Sequence, residues 1–572
     1  MKFPIPDWFQ GYNLPIFKND FSAGLTVGVM LIPQGMAYSM IAGLPPIYGL
    51  YAATLPILIY AFLGTSRQLA VGPVAMVSLL TASGIGVMAQ QGTEEYLSFA
   101  ILLALLVGII QLLLGVFKLG FLVNFLSHPV ISGFTSAAAL IIGLSQMSHL
   151  FGVSIQGGHH AHEIIWALIQ KIDQINVYTL AIGISGIGII VWVRKKYKSL
   201  PGQLFAVIFG ILIVQFFGLT DFGVRILGEV PAGLPSFKLP VLEWKNIVAL
   251  FPIALAISLV SFMESIAVAK AIQNKHRNYK VIPNRELIAL GAANIGGAFI
   301  QSFPVTGGFS RTAVNDQAGA KTGMAGIISA GLVILTLLFL TPLFHFLPNA
   351  ILASVILVAV FGLLDYNEAI HLWKSDKTDF WMLITTFLGT LIFGIKEGIG
   401  LGVVLSLVLL IFRTTRPHIA ILGKVPGSRF YRNTSRFSGL EIRPDILVIR
   451  FDAQLYFANV DYFTTQLENF AIQKGSQLRF IVINAESINN LDSTAIRMLE
   501  EVYEHYQNLN IELVFASVKG PVRDALAKSH LIEKLGEKRF FMSIQDAIDC
   551  FDQNCKNDNS FFKDFAIQSN NK

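Results

Sequence analysis

Hydrophobic positions in this chain come as long runs rather than as narrow faces. From about Phe21 to Phe412 the runs recur at or near the roughly 20 residues that carry a helix across a bilayer, with short charged loops between them. In order, they predict spans near 21–41, 47–64, 70–90, 97–117, 124–151, 176–194, 203–219, 246–272, 285–302, 309–320, 325–342, 349–364, 379–395 and 397–413, about fourteen in all. The third and tenth are short or broken. Beyond about residue 440 the pattern changes. β-like runs at 446–451, 455–457, 480–483 and 511–516 alternate with helical periodicity at 462–472, 494–506 and 522–529, which predicts a small α/β domain.

The two broken spans stand at matching places. AVGPVAMV (70–77) comes two segments after the span that opens DFSAGLTVG (20–28), and SFPVTGGFSRTAVN (302–315) comes two segments after the span holding Glu264. Pro304, Gly307 and Gly308 interrupt the backbone ladder and free N–H groups that lipid cannot satisfy, so this stretch must face protein or a water-filled cavity. Broken segments in corresponding halves point to a transporter of inverted repeats whose site lies between facing half-helices. Coincidence is the alternative, because glycine and proline are common in membrane helices. Seven spans per half, an odd number, make the repeats inverted. With the N-terminus inside, the loops of Arg67, Lys118, Arg194–Lys198, Lys275–Lys280, Lys321, Lys374, Lys377, Arg413 and Arg416 face the cytoplasm, against only Lys171, Arg225, Lys238, Lys245 and Lys396 opposite. That asymmetry predicts an even number of spans and both termini cytoplasmic.

Composition agrees with the pattern. Of 572 residues 53% are hydrophobic and 14% charged, whereas soluble domains are roughly 25% charged. This is a multi-pass protein of an inner or plasma membrane. MKFPIPDWFQGYNLPIFKND (1–20) has no apolar core followed by a small-residue cleavage site, so no signal peptide is expected. The net charge, 42 − 36 = +6, resides mainly in loops that orient the spans, so nucleic acid is not an expected partner. Cys550, Cys555, His159 and His160 offer no metal-ligand spacing. No cofactor is implied, and no nucleophile–base constellation suggests an enzyme.

Several long motifs in order carry a resemblance. IPQGMAY (32–38), GLPPIYGLY (43–51), NRELIALGAAN (284–294) and the Ser310-Arg311 stretch resemble the SulP family of sulfate-permease-type anion transporters, and LDSTA (491–495), opening a helix after a strand, resembles its STAS domain. The resemblance implies an α-helical membrane protein of about fourteen spans in a 7+7 inverted repeat, with uracil-permease-like core (spans 1–4 and 8–11) and gate (5–7 and 12–14), plus a cytoplasmic α/β STAS domain. It also implies a homodimer that moves anions by an elevator-like motion of the core. The expected boundaries are a cytoplasmic segment 1–20, a transport domain 21–416, a linker 417–440, the STAS domain 441–555 and a disordered tail 556–572.

Arg311 is the first candidate for the site. A buried guanidinium costs about 2.5–3.5 kcal/mol on insertion scales, so it faces either an anion or a structural partner such as Glu264. A helix starting near Ser310 would aim its free N–H groups and positive end at the same spot. Opposite, a half-helix starting near Gly72 and Pro73 would offer the amides of Val74 and Ala75, completing a cradle with Gly308, Phe309 and Ser310; a functionless proline kink is the alternative. Gln34 and Tyr38, four apart on the first span, share a helical face, and the resemblance places them beside the substrate; they could equally bond a neighbouring helix. Glu264 is an acid deep in an apolar span. Burial disfavours its charge and Arg311 favours it, so its proton affinity changes as an anion comes and goes, a basis for proton coupling. Sodium-coupled bicarbonate relatives are expected to carry an aspartate there and a threonine one turn on, where this chain has Glu264 and Val268. Ser493 matches a regulatory phosphoserine of related STAS folds, with helix capping as the alternative.

The expected function is secondary active transport of a small anion of the sulfate, bicarbonate or dicarboxylate class, coupled to protons. Sodium-coupled bicarbonate uptake, anion exchange and uncoupled conduction remain open. A nucleobase carrier gives little reason to bury Arg311, and a membrane receptor with STAS output would signal without flux.

Overall fold

The computed structural model describes residues 7–9, 11–121, 127–153, 161–197 and 201–553. The expected tail 556–572, Cys555, His159 and His160 lie outside the described residues. The chain divides into two compact units, Met1–Leu407 and Val408–Lys572.

The first unit is helical. Its first half runs α1 (Leu14–Ile41), α2 (Pro46–Tyr51), α3 (Leu55–Leu63), β1 (Val71–Gly72), α4 (Ala75–Ile85), α5 (Glu94–Val116), α6 (His128–Phe151), α7 (Ala161–Ile169), α8 (Val177–Lys196) and α9 (Gly202–Phe217). The second half runs α10 (Trp244–His276), α11 (Pro283–Ala298), β2 (Thr306–Gly307), α12 (Phe309–Gln317), α13 (Met324–Leu335), α14 (Asn349–Phe361), α15 (Tyr366–Ser375), α16 (Lys377–Phe393) and α17 (Ile395–Thr415), whose last residues already count with the second unit. Taking α2 with α3 as one segment, and setting aside the short α7 and α15, each half supplies seven apolar segments. Among the described residues only eight helices are long and apolar enough to cross a bilayer alone. The third and tenth segments are the expected breaks, each a two-residue strand followed by a short helix.

Packing repeats the symmetry. The first segment of each half lies against the fourth of the other, α1 on α13 and α10 on α5. The second segments pack on each other, α3 on α11, as do the fifth, α6 on α14. Even the short amphipathic helices match, α7 after the fifth segment and α15 after the twelfth, both with exposed tryptophans, Trp166 and Trp373, suited to a membrane interface. The core comprises α1–α5 and α10–α13; the gate comprises α6, α8, α9, α14, α16 and α17. Core helices meet at glycine. A Cβ on Gly108 of α5 would lie 2.8 Å from the Gly291 carbonyl oxygen of α11, and one on Gly291 would lie 2.8 Å from that of Gly108, so the backbones touch where lipid provides no hydrophobic drive.

In the second unit, strands β3 (Ile419–Lys424), β4 (Tyr431–Asn433), β5 (Ile446–Phe451), β6 (Phe480–Asn484), β7 (Glu512–Ala516) and β8 (Phe540–Phe541) form one sheet in the order β4-β3-β5-β6-β7-β8. β5 to β8 are parallel, and β3 is antiparallel to β5. Successive residues point to opposite faces. Leu447, Ile449, Ile481, Ile483, Leu513 and Phe515 pack under α18 (Val460–Lys474), α19 (Ser493–Asn508), α20 (Gly520–Lys528) and α21 (Leu531–Leu535). Ile446, Val448, Phe480, Val482 and Val514 pack under α22 (Ile544–Asp552). Two expectations change here. The stretch 417–440 read as a linker supplies β3 and β4, and 455–457 forms no strand but a single bridge, Leu455 to Leu491.

Candidate functional site

The two broken segments cross. β1 and β2 pair antiparallel, Val71 opposite Gly307 and Gly72 opposite Thr306, so one ladder holds the two half-helices end to end. Gly308 N–H donates to the Ala70 carbonyl at 3.1 Å, and Ala70 N–H donates to Thr312 Oγ1 at 3.0 Å. Gly72 has φ +148°, a conformation that L side chains rarely adopt. Neither α4 nor α12 has a side-chain cap. Their first helical bonds run from Ser78 N–H to Val74 O and from Thr312 N–H to Gly308 O. The N–H groups ahead of these, Ala75 to Val77 and Phe309 to Arg311, therefore have no carbonyl within their own helix and present two positive helix ends.

A buried hydrogen-bond network fixes the crossing from behind. Ser265 Oγ and Thr306 Oγ1 lie 2.7 Å apart, Gly307 N–H donates to Ser265 Oγ at 2.9 Å, and Thr306 Oγ1 donates to the Ser261 carbonyl at 2.8 Å. Asn294 accepts from Val305 N–H at 2.8 Å and donates to Gln111 Oε1 at 3.1 Å, while Gln111 donates to Ser261 Oγ at 2.9 Å. On the far side Asn315 donates to the Gln68 carbonyl at 2.8 Å. Sequence reasoning missed these supports. Their signal was there, since polar residues in apolar spans that find one another are the usual glue of membrane helices.

Arg311 is 1% exposed. Its Nη1 donates to the Pro73 carbonyl at 2.6 Å, across the crossing and onto the other half of the protein. A Cβ on Gly308 would lie 3.0 Å from Nη2 and one on Gly72 3.4 Å from it, so the guanidinium rests between two glycine backbones. Among the described residues, Nε and Nη2 have no hydrogen-bond partner, nor do Glu264 Oε2 or either amide atom of Gln34. Glu264 and Tyr38 lie close enough to feel the Arg311 charge, but Arg311 forms no ion pair with Glu264 among the described residues. A partnerless buried polar atom costs about 1–3 kcal/mol, so this cluster favours an occupant that can pair with it.

The cluster backs onto a cavity of about 590 Å³ lined on the core side by Gln34, Tyr38, Val74, Ala75, Glu264 and Gly308–Arg311, and on the gate side by α8, α9 and α14, including Arg194 and Gln203. Its size is that of a small-molecule site. Of the expected residues, Gln34, Tyr38, Val74, Ala75, Glu264, Gly308, Phe309, Ser310 and Arg311 all line it, with Ser310 exposed and Arg311 buried. Gly72 and Pro73 stand one step behind, at the ladder. Two details differ from expectation. α4 begins at Ala75 with Val74 as cap, so Pro73 precedes the helix rather than opening it. Arg194, read as part of an orienting charge run, also lines the cavity. In the second unit the cap of α19 is Asp492, which accepts from Ala495 N–H at 2.8 Å and from Phe457 N–H at 2.8 Å; Ser493 is the exposed first helical residue.

A family model described as "Sulfate permease family" matches residues 17–386, and a STAS domain model matches 439–547. The chain belongs to the sulfate permease family. It is 38% identical over 565 residues to "Sulfate transporter 4.1, chloroplastic" of Arabidopsis thaliana, spanning 96% of this chain and 82% of that one. Among solved structures, the murine Slc26a9 anion transporter in the inward-facing state superposes with a TM-score of 0.88 at 25% identity, over 96% of this chain and 93% of that one. The transmembrane domain of the cyanobacterial bicarbonate transporter BicA shares the fold, with a TM-score of 0.60 at 23% identity over 69% of this chain and 98% of that one. The protein is thus a multi-pass anion transporter, not an enzyme, with the 7+7 core-and-gate fold and a STAS domain.

Proposed function

We propose that the protein is a secondary active carrier of small oxyanions of the sulfate, bicarbonate or dicarboxylate class, coupled to protons, in which the core slides against the gate and carries the site with it. One observation supports this above others: two uncapped helix N-termini, each worth roughly half a positive charge, converge with the Arg311 guanidinium at the wall of one cavity. A negatively charged solute is the natural occupant. Ser310, Phe309 and Gly308 on one side and Val74 and Ala75 on the other would hold it, Gln34 and Tyr38 would close the face toward α1, and Gly72 and Pro73 would set the crossing. Arg311 would act from behind, through its charge and its unpaired Nε and Nη2.

Glu264 is the coupling group in this reading, a carboxyl in reach of the Arg311 field whose proton would travel with the anion. Val268, where a hydroxyl ligand is expected for sodium, disfavours the sodium reading. The protein would work as a homodimer with both termini cytoplasmic and Ser493 available for modification. Radiolabelled uptake into proteoliposomes under imposed pH and sodium gradients tests the whole. Saturable sulfate uptake driven by inward protons is expected; anion flux that ignores the pH gradient would leave exchange or conduction instead, and no anion flux under any gradient would overturn it.

A further inference from the structure

Between α9, the last gate helix of the first half, and α10, the first core helix of the second, residues 218–243 run without a helix. This connector is hydrogen-bonded to both bodies it joins, and the two sets of bonds do not overlap along the chain.

Its first part belongs to the gate. Asn176, the cap of α8, donates to the Phe222 carbonyl at 2.8 Å. Asn349 N–H, at the start of α14, donates to the Arg225 carbonyl at 3.0 Å, and Leu227 and Gly228 N–H donate to the carbonyls of Leu347 and His345, in the turn that leads into α14, at 2.8 and 3.1 Å. Ile226 pairs antiparallel with Pro348. Its second part belongs to the core. Gly233 N–H donates to the Leu337 carbonyl at 2.9 Å; Leu337 lies in a π turn, 336–340, whose partner five residues on is Pro342, with no N–H to give. Lys238 N–H donates to the Phe299 carbonyl at 2.9 Å, Gln301 Nε2 donates to Ser236 Oγ at 2.7 Å, and Phe237 stacks on Phe299 with centroids 5.6 Å apart.

Residues 229–232 lie between the two parts, and only Val230 of them is half-buried. Glycines at positive φ bracket them, Gly228 at +75° and Gly233 at +122°. A Cβ on either would meet nothing within 4 Å, so glycine serves backbone conformation there, not packing.

We propose that 218–243 is a two-part strap, one part riding with the gate and the other with the core, whose hinge at 229–232 limits how far the core travels. This rests on the sliding core of the proposed function. The five peptide units from Gly228 to Gly233 reach at most about 18 Å, at up to about 3.6 Å each; a larger separation of the attachment points would have to tear one set of hydrogen bonds.

The test uses the full chain with Cys550 and Cys555 changed to serine. Two disulfide locks, Ile226→Cys with Pro348→Cys and Phe237→Cys with Phe299→Cys, each tie the strap to the body it rides with. Both are expected to leave anion uptake within twofold of the reduced protein. Deleting Val230 and Pro231 shortens the reach by about 7 Å and is expected to slow uptake at least tenfold with anion-induced thermal stabilisation unchanged. Uptake stopped by either lock, or untouched by the deletion, overturns the strap. If the deletion does not fold, the two locks still decide. Failure of the transport reading itself would show separately, as no anion uptake by the parent protein.

Discussion

Arg311 uses one of its N–H donors to hold the Pro73 carbonyl of the opposite half and leaves two nitrogens unpaired beside a cavity. Removing the side chain therefore takes away a cross-link and a charge together, and Arg311→Ala should abolish saturable uptake, a loss of at least 100-fold, in protein that still purifies as a monodisperse species. Arg311→Lys separates the two: it keeps a charge but not the guanidinium fork, and should retain weak uptake with a raised KM. Equal uptake by Arg311→Ala and the parent, measured in proteoliposomes, would remove Arg311 from the site. For Glu264→Gln the expectation is uptake that no longer responds to an imposed pH gradient while anion exchange persists. Both residues were legible in the sequence because a charge in an apolar run is costly and rare. The direction of the Arg311 side chain was not legible, since it depends on the Pro73 carbonyl, which lies far away along the chain.

At the scale of elements, the crossing depends on backbone that few residues can adopt. Gly72→Ala must hold a β-carbon at φ +148° and place it 3.4 Å from both Arg311 Nη2 and Leu31 Cδ1, a strain of about 1–3 kcal/mol. A lower melting temperature and a several-fold fall in maximal uptake are expected, and a protein as stable and active as the parent would show that the ladder tolerates change. The half-helices were readable because proline and glycine in an apolar run leave a mark. β3 and the three-residue edge strand β4 were not, because a stretch holding Pro417, Pro426 and Gly427 looks like a linker until β3 is laid against β5 and β4 against β3. The same unit offers a test outside the membrane. Arg443 pairs with Asp445 at 2.6 Å and with Asp552, at the end of α22, at 2.6 Å. That hydrogen bond, against some desolvation, holds the Asp445 carboxyl below its usual 3.8. A depressed folded value means the contribution is full above pH 3.8 and fades as pH falls through the folded value. The Arg479 and Phe480 amides donate to the Asp445 carbonyl, and their protection, the exchange rate judged against the intrinsic rate at each pH, should accordingly fall on acidification below about pH 4 in the intact protein. Arg443→Ala, which also removes the bond to Asp552, should lower protection along α22 already at neutral pH, and partial exposure keeps either effect small.

For the whole molecule, the inverted repeat makes a further demand. Two halves of opposite orientation give one site two possible exits, and the open one is set by which surfaces of core and gate have parted. Here the cavity wall runs from Ser310 on the core to Arg194 and Gln203 on the gate, and Arg194 begins the basic last turn of α8 with Lys195 and Lys196. Short basic loops are retained on the cytoplasmic side, so in the proposed orientation the cavity opens inward. With Cys550 and Cys555 replaced by serine, Ser310→Cys and Gln203→Cys should each react with a membrane-impermeant maleimide in inside-out vesicles and stay unmodified in right-side-out ones. Substrate anion should protect Ser310→Cys, which lies at the helix end, and should protect Gln203→Cys, which lies with Arg194 on the gate, less. Labelling of Ser310→Cys from the outer side alone would mean that the orientation read from loop charge is reversed or that another state predominates. Separate labelling of a cysteine at Lys195, in the same basic turn but outside the cavity lining, distinguishes these outcomes because its sidedness reports orientation and not access to the site.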